Sequence, residues 1–257
     1  MLSQINTKDI IVIAKKAGDA IMQIYSQDFE VEYKQDKSPL TLADKKANDI
    51  IENSLSQLSV NLPILSEEGK DIPYKQRKHW EYFWLIDPLD GTKEFIKKND
   101  EFTVNIALIH KDTPVLGVVY APALDVCYWA KQSYGAFKDG KRLPLKTENQ
   151  RETYKIVASR SHMSNETQAF INNIDTDKEK ELVSIGSSLK ICLVAEGEAD
   201  IYPRLGPTME WDTGAAHAIG NESSCLLRRY KNNGQFFYNK KNLLNDFFIV
   251  SCKKLNN

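Results

Sequence analysis

The segment Trp84-Leu85-Ile86-Asp87-Pro88-Leu89-Asp90-Gly91-Thr92 constrains the fold more than any other part of the chain. An apolar run reads as a strand and leads straight into Asp87. Pro88 and the Asp90-Gly91 pair then force a turn that folds Asp90 back beside it. Two carboxylates meeting at a strand end repel each other unless a cation sits between them. An all-oxygen ligand set suits Mg2+ or a similar hard cation. On its own, a DxxDG segment reads more readily as a turn in which Asp90 caps backbone amides, so the cation reading needs support from elsewhere.

Two other segments supply it. Ser66-Glu67-Glu68-Gly69 places a second acidic pair at the end of the apolar stretch Pro63-Ile64-Leu65, and Glu210-Trp211-Asp212-Thr213 places Asp212 at the start of a small-residue helix, GAAHAIG. Taken alone, Glu67 and Glu68 read as surface acids and Asp212 as a helix cap.

The rest of the chain organises around these acids. Apolar residues Ile10, Ile13, Ala14, Ala17, Ile21 and Ile24 recur at spacings of three and four, which predicts an amphipathic helix over 7–25 started by Thr7 or Asn6. Ala43, Ala47, Ile50, Ile51, Leu55 and Leu58 predict a second over 41–58. From Pro63 the pattern changes to short apolar runs (PILSEEG, EYFWLIDPLDG, FTVNIALIH, PVLGVVYAP, DVCYWAK), expected to form a largely antiparallel sheet, with a hairpin over 134–145 centred on Asp139-Gly140. The aromatic run Trp80, Tyr82, Phe83, Trp84 reads as strand packing rather than a base-stacking platform. After Gln150 strands and helices alternate, which implies a layered α/β half. The expected division is therefore 1–150, an α+β half with most of the acids, and 151–257, an α/β half.

Composition excludes several classes. The 34 Lys plus Arg balance 35 Asp plus Glu, so no global field favours nucleic acid or a membrane surface. The pairs Arg228-Arg229 and Lys240-Lys241 read as solvated charges. Cys127, Cys192, Cys225 and Cys252 form no CxxC pair and read as small buried residues of a reducing compartment. Lys8, Asp9, Lys15 and Lys16 interrupt the N-terminal apolar residues, so no signal peptide is expected, and the longest uncharged stretch, Asn53 to Ser66, is rich in Ser and Asn, so no transmembrane helix is expected either.

Taken together, IDPLDGT, the upstream Glu67-Glu68 pair and the downstream WDT resemble the inositol monophosphatase superfamily of magnesium-dependent, lithium-sensitive phosphatases, over nearly the whole chain. SPLTLAD (38–44), SRSH (159–162), GSSLK (186–190), LVAEGEADIYPR (193–204) and GPTMEWDT (206–213) most resemble its bacterial CysQ-type 3'(2'),5'-bisphosphate nucleotidase branch. The resemblance implies a layered αβαβα sandwich of the sugar-phosphatase type. It implies one metal on Glu67, Asp87 and the Leu89 carbonyl and a second on Asp87, Asp90 and Asp212. Two Mg2+ ions, or three, would then activate a water that Thr92 orients, with the Gly91 and Thr92 amides receiving phosphate oxygens.

For substrate, the resemblance implies that Ser159, His162, Gly186 and Lys190 line a nucleotide site, Lys190 facing the phosphate that is not cleaved and Arg204 adding a contact. The reaction implied is conversion of adenosine 3',5'-bisphosphate to AMP and phosphate, with PAPS as a further substrate. That activity clears a sulfate-assimilation by-product in the cytoplasm, either free or peripheral on the inner membrane, as monomer or homodimer. The chain departs from the family at Ser38, where several branches carry an Asp, so Asp36 and Glu68 stand as alternative helpers. The competing readings are an inositol or fructose phosphate phosphatase and a non-catalytic metal- or nucleotide-binding regulator. A haloacid-dehalogenase-like site is set aside because Asp87 and Asp90 are three apart with Pro88 between them.

Overall fold

The computed structural model describes residues 1–26, 31–33, 39–146, 152–158 and 164–252. Asn6 accepts the Lys8 amide at 3.2 Å and starts α1 (Thr7–Tyr25), which buries Ile10, Ile13, Ala14, Ala17 and Ile21. A hairpin of β1 (Val31–Tyr33) and β2 (Pro39–Thr41) leads into α2 (Leu42–Ser56), which buries Ala43, Ala47, Ile51 and Leu55. Both helices thus turn one apolar stripe inward.

A seven-stranded sheet follows, in the order β3 (Ile64–Ser66), β4 (Tyr82–Asp90), β5 (Thr103–His110), β6 (Thr113–Ala121), β7 (Val126–Lys131), β8 (Gly135–Lys138), β9 (Lys141–Arg142). The strands are antiparallel except for the β3–β4 pair, and β8–β9 is the hairpin expected at Asp139-Gly140. Two short helices that no periodicity announced, α3 (Tyr74–Arg77) and α4 (Thr92–Ile96), flank β4. Each is too short to show a repeating face.

The second sheet runs β11 (Lys180–Ser184), β10 (Tyr154–Ala158), β12 (Ile201–Arg204), β14 (Phe248–Ser251), β13 (Leu226–Arg229), with α5 (Asn165–Asn172), α6 (Leu189–Ala195) and α7 (Glu210–Glu222) between strands in sequence.

Alternation along β4 explains the layering. Trp84 and Ile86 face α1 and α2, whereas Phe83 and Leu85 face a core shared with α6, α7 and the second sheet. Ile156, Ile201 and Ile249 on the far face of that sheet pack against Ile171 of α5. The layers are therefore helices, sheet, helices, sheet, helix, the αβαβα sandwich. The 147–151 segment around the expected division lies outside the described residues, and one core joins Leu65 and Phe83 to Tyr202 and Phe248 across it.

Two readings of isolated residues are corrected. Cys225 and Cys252 form a disulfide, because the β13–β14 register that pairs Leu226 with Ser251 sets them opposite each other; Cys127 and Cys192 are free and buried as expected. Lys240 is not simply solvated: its Nζ lies 2.6 Å from Glu210, a fully buried carboxylate that also accepts the Asn239 and Lys240 amides. Burying that charge demanded a partner.

The small residues of α7 let it lie close on the first sheet. A Cβ at Gly117 of β6 would come 2.1 Å from the Ala215 carbonyl oxygen, a backbone atom with little room to yield. Gly117→Ala should therefore cost about 1–3 kcal/mol in urea denaturation. A stability equal to wild type would show that α7 sits further from β6.

Candidate active site

Each acid reaches the site through a local device. The β3–β4 pairing matches Ser66 with Ile86 and continues into a hydrogen bond from the Glu67 amide to the Ile86 carbonyl, so Glu67 arrives beside Asp87. On the other side of β4, Asp87 pairs with Asn105 and Asp90 with Thr103, so three steps along β4 match two along β5. That extra residue is a bulge, and Pro88, which has no amide to donate, falls within it. Gly91 then turns the chain at φ 94 into α4.

Glu67, Asp87 and Asp212 each present a carboxylate oxygen within 4.8 Å of the others. Asp87 is 1 % exposed, and its Oδ1 accepts the Leu89 amide at 3.2 Å. Asp212 lies in the first turn of α7, where its Oδ2 accepts the Met209 amide at 2.9 Å, so it caps the helix while joining the cluster. Asp90 lines the same cleft. Glu68 belongs to neither the carboxylate cluster nor the cleft lining.

The electrostatics follow from crowding and burial. Desolvation first, then Glu67, Asp90, Asp212 and Asp44 push the Asp87 carboxyl well above the ordinary aspartate range. Desolvation and Asp90 do the same to Asp212. Asp90 is raised by burial, against which Lys190 and hydrogen bonds from Ser188 and Asn105 act. Such a set of groups is tolerable to a fold when a cation shares it.

The cleft encloses about 310 Å³ and also receives Leu89, Gly91, Thr92, Ser187, Lys190 and Arg204. Burial lowers the Lys190 pKa, and Arg204 pushes it the same way while Asp90 opposes. Arg204 donates from Nη2 to the Pro207 carbonyl at 2.8 Å, and its buried Nε has no hydrogen-bond partner among the described residues. Lys190 and Arg204, with Lys93, thus share the cleft with the acids. Thr92 points its hydroxyl at the Leu89 carbonyl, 3.4 Å away.

Gly186 stands apart from the cleft lining: its amide donates to Glu101 at 2.8 Å, and a Cβ there would meet the Glu101 carbonyl at 2.6 Å. Its need for glycine is therefore explained by close packing. Asp36, Ser38, Ser159 and His162 lie outside the described residues.

Three contributors escaped the sequence reading. Asp44, noted only as the end of SPLTLAD, is 2 % exposed and adds to the charge around Asp87. Ser188 and Asn105 hold Asp90. Asn105 had a signal: a polar residue inside the apolar run FTVNIALIH must find buried partners.

The inositol monophosphatase family model matches residues 2–247, and the chain belongs to that family. Among its relatives, the 3'(2'),5'-bisphosphate nucleotidase CysQ of Salmonella typhimurium is 45% identical over 248 residues, covering 95% of this chain and 98% of that protein. The protein of the same name from Buchnera aphidicola is 48% identical over 214 residues, covering 82% and 79%. Among solved structures, CysQ from Bacteroides thetaiotaomicron aligns with a TM-score of 0.86 at 42% identity, covering 96% and 97% of the two chains. The suhB protein of Bartonella henselae aligns at 0.79 and 26% identity, covering 95% and 93%.

Carboxyls with raised pKa values bind protons more tightly folded than unfolded. Without a cation, the fold therefore holds stability below the ordinary aspartate value of about 4 that is lost as pH rises through the raised values. In chelator, Asp87→Asn should melt higher than wild type, by a margin that opens as pH rises from about 4 and vanishes below it. Added Mg2+ should close the gap by stabilising wild type alone. A pH-independent gap in thermal melts would show that Asp87 is not held in a crowd of charge.

Proposed function

We propose that the chain is a Mg2+-dependent 3'(2'),5'-bisphosphate nucleotidase, a phosphomonoesterase that converts adenosine 3',5'-bisphosphate to AMP and phosphate and accepts the sulfated nucleotide PAPS as a second substrate. The observation that carries this reading is the convergence of Glu67, Asp87 and Asp212 within one carboxylate-lined cleft that also contains Lys190 and Arg204. The two nucleotidases named above carry that activity in their names and match this chain over 98% and 79% of their lengths.

The donors fit the metal. Carboxylates from three separate segments, with the Leu89 carbonyl close by, form the oxygen-only set that a hard divalent cation requires. Glu67, Asp87 and Leu89 would hold one Mg2+ and Asp87, Asp90 and Asp212 a second. Bound there, such cations supply positive charge to a phosphoryl group and make water more acidic.

The remaining steps belong to the chain itself. The Thr92 hydroxyl donates its hydrogen bond to the Leu89 carbonyl, which leaves its oxygen lone pairs to accept a hydrogen bond from the attacking water and so orient it. Lys190 and Arg204 give the retained phosphate its counter-charge, Arg204 through the Nε that the protein itself leaves unpaired. Both are half-buried in the cleft wall, so little water competes for them.

In the cell this activity would clear a by-product of sulfate assimilation in the cytoplasm or at the cytoplasmic face of the inner membrane. Among the described residues no helix is long and apolar enough to cross a membrane.

Phosphate release from adenosine 3',5'-bisphosphate, inositol monophosphate and fructose bisphosphate, with and without Mg2+, tests the reading. The adenosine compound should be preferred and chelator should abolish its turnover. Equal rates on inositol monophosphate would move the assignment to the sugar phosphatases. No release from any substrate would leave a non-catalytic binding protein. Asp87→Asn should reduce turnover below a few per cent of wild type with the fold retained. Lys190→Ala should raise KM for the bisphosphate by about 10-fold or more, the worth of one charged hydrogen bond, with kcat changed less.

A further inference from the structure

We propose that Ser188 is the positioning residue of the cation site: its hydroxyl, within hydrogen-bond reach of both the Asp90 carboxylate and the Asp212 carbonyl, donates to Asp90 and holds it in one orientation. The inference rests on the metal reading above and adds to it a cleft-wall residue that acts by holding a ligand.

Ser188 stands immediately before α6, 98 residues from Asp90 and 24 from Asp212, and is 3 % exposed. Its Oγ lies 2.8 Å from Asp90 Oδ2 and 2.6 Å from the Asp212 carbonyl oxygen. The chain enters this point through Ser187 at φ 49, a left-handed conformation uncommon for a residue with a Cβ. Asn105 completes the network from β5. Its Nδ2 donates to Ser188 Oγ at 2.9 Å and to Asp90 Oδ2 at 3.3 Å, while Thr103 donates to its Oδ1 at 3.1 Å. An ionised Asp90 carboxylate can only accept, which sets the Asn105 amide nitrogen toward Asp90 and Ser188 and leaves Oδ1 to the Thr103 hydroxyl.

Counting protons settles what Ser188 does. Its oxygen accepts from Asn105, and its single hydrogen goes to Asp90 or to the Asp212 carbonyl, an ionised carboxylate being the stronger acceptor. Asp90 Oδ2 is thereby occupied by two protein donors. Oδ1 is then the Asp90 oxygen that would remain for a cation. Asp90 belongs to the first sheet and Asp212 to α7, so Ser188 also joins the elements that carry them.

Partners that orient metal ligands typically change metal affinity or activity 10–100-fold when removed. Purified wild type, Ser188→Ala, Ser188→Cys and Ser188→Thr should be titrated with Mn2+ while free Mn2+ is followed by EPR. Phosphate release from adenosine 3',5'-bisphosphate should be measured in parallel against Mg2+ concentration.

Ser188→Ala should weaken Mn2+ binding about 10-fold and shift the Mg2+ dependence by the same factor. KM for substrate at saturating Mg2+ should stay near wild type, a separation that a general packing defect would not produce. Ser188→Thr, which restores the hydroxyl, should recover affinity. Ser188→Cys, with its weaker donor in similar space, should shift affinity in the same direction by less, and it keeps the test decisive where alanine lowers stability.

Wild-type Mn2+ affinity in a folded Ser188→Ala or Ser188→Cys protein overturns the proposal. Wild type that binds no Mn2+ overturns it together with the cation site. Wild type that binds Mn2+ but hydrolyses nothing overturns the nucleotidase reading alone, and the Mn2+ comparison still decides the role of Ser188.

Discussion

Mutual repulsion among Glu67, Asp87, Asp90 and Asp212 is the constraint around which this fold is arranged. Burial adds to it, since Asp87 is 1 % exposed and each neighbouring acid drives its carboxyl further from the charged state. A protein gains nothing in stability from such a cluster unless something positive enters it. The fold holds the acids together through backbone register, helix packing and hydrogen bonds to their outer oxygens. Asp87 is fixed by the Leu89 amide, Asp212 by the Met209 amide and Asp90 by Ser188 and Asn105. Each retains another oxygen for the cleft.

The scaffold that permits this is stiff for a simple reason. β4 is buried on both faces, with Trp84 and Ile86 packed outward and Phe83 and Leu85 inward, so its end cannot shift without disturbing two cores at once. α7 is pressed onto the same sheet by Gly117, Gly214 and Ala215. Behind it, Tyr238 donates to Thr213 at 3.2 Å and meets His217 at 3.0 Å. Burial pushes the His217 pKa down to about 4, so that ring stays neutral and belongs to the support of α7 rather than to the acids. The Asp90 end of β4 and the start of α7 are thus held rigidly, and the carboxylates they carry inherit that precision.

Charge of the opposite sign is placed with equal economy. Lys190 and Arg204 enter the same cleft from α6 and β12, and burial keeps water from competing for them. A ligand bearing one phosphate at the acids and a second near these cations satisfies both walls. A monophosphate would leave one wall unanswered, which is how the cleft would discriminate under the proposed activity.

Much of this was legible from residue order. The longer helices and the main strands, the β8–β9 hairpin and the acids at strand and helix ends follow from side-chain periodicity and turn chemistry, which act over a few residues, whereas α3, α4 and the β1–β2 hairpin are too short to show a repeat. Resemblance in IDPLDGT, GSSLK and GPTMEWDT then joined those local signals into one family. Tertiary structure alone decided what depends on register and packing over long separations. Those features include the meeting of Glu67 with Asp212, the fit of Ser188 between Asp90 and the Asp212 carbonyl, the pairing of Cys225 with Cys252, and the burial of Glu210 beneath Lys240. A residue's type limits the bonds it can make; only the folded chain determines which distant partner stands within reach.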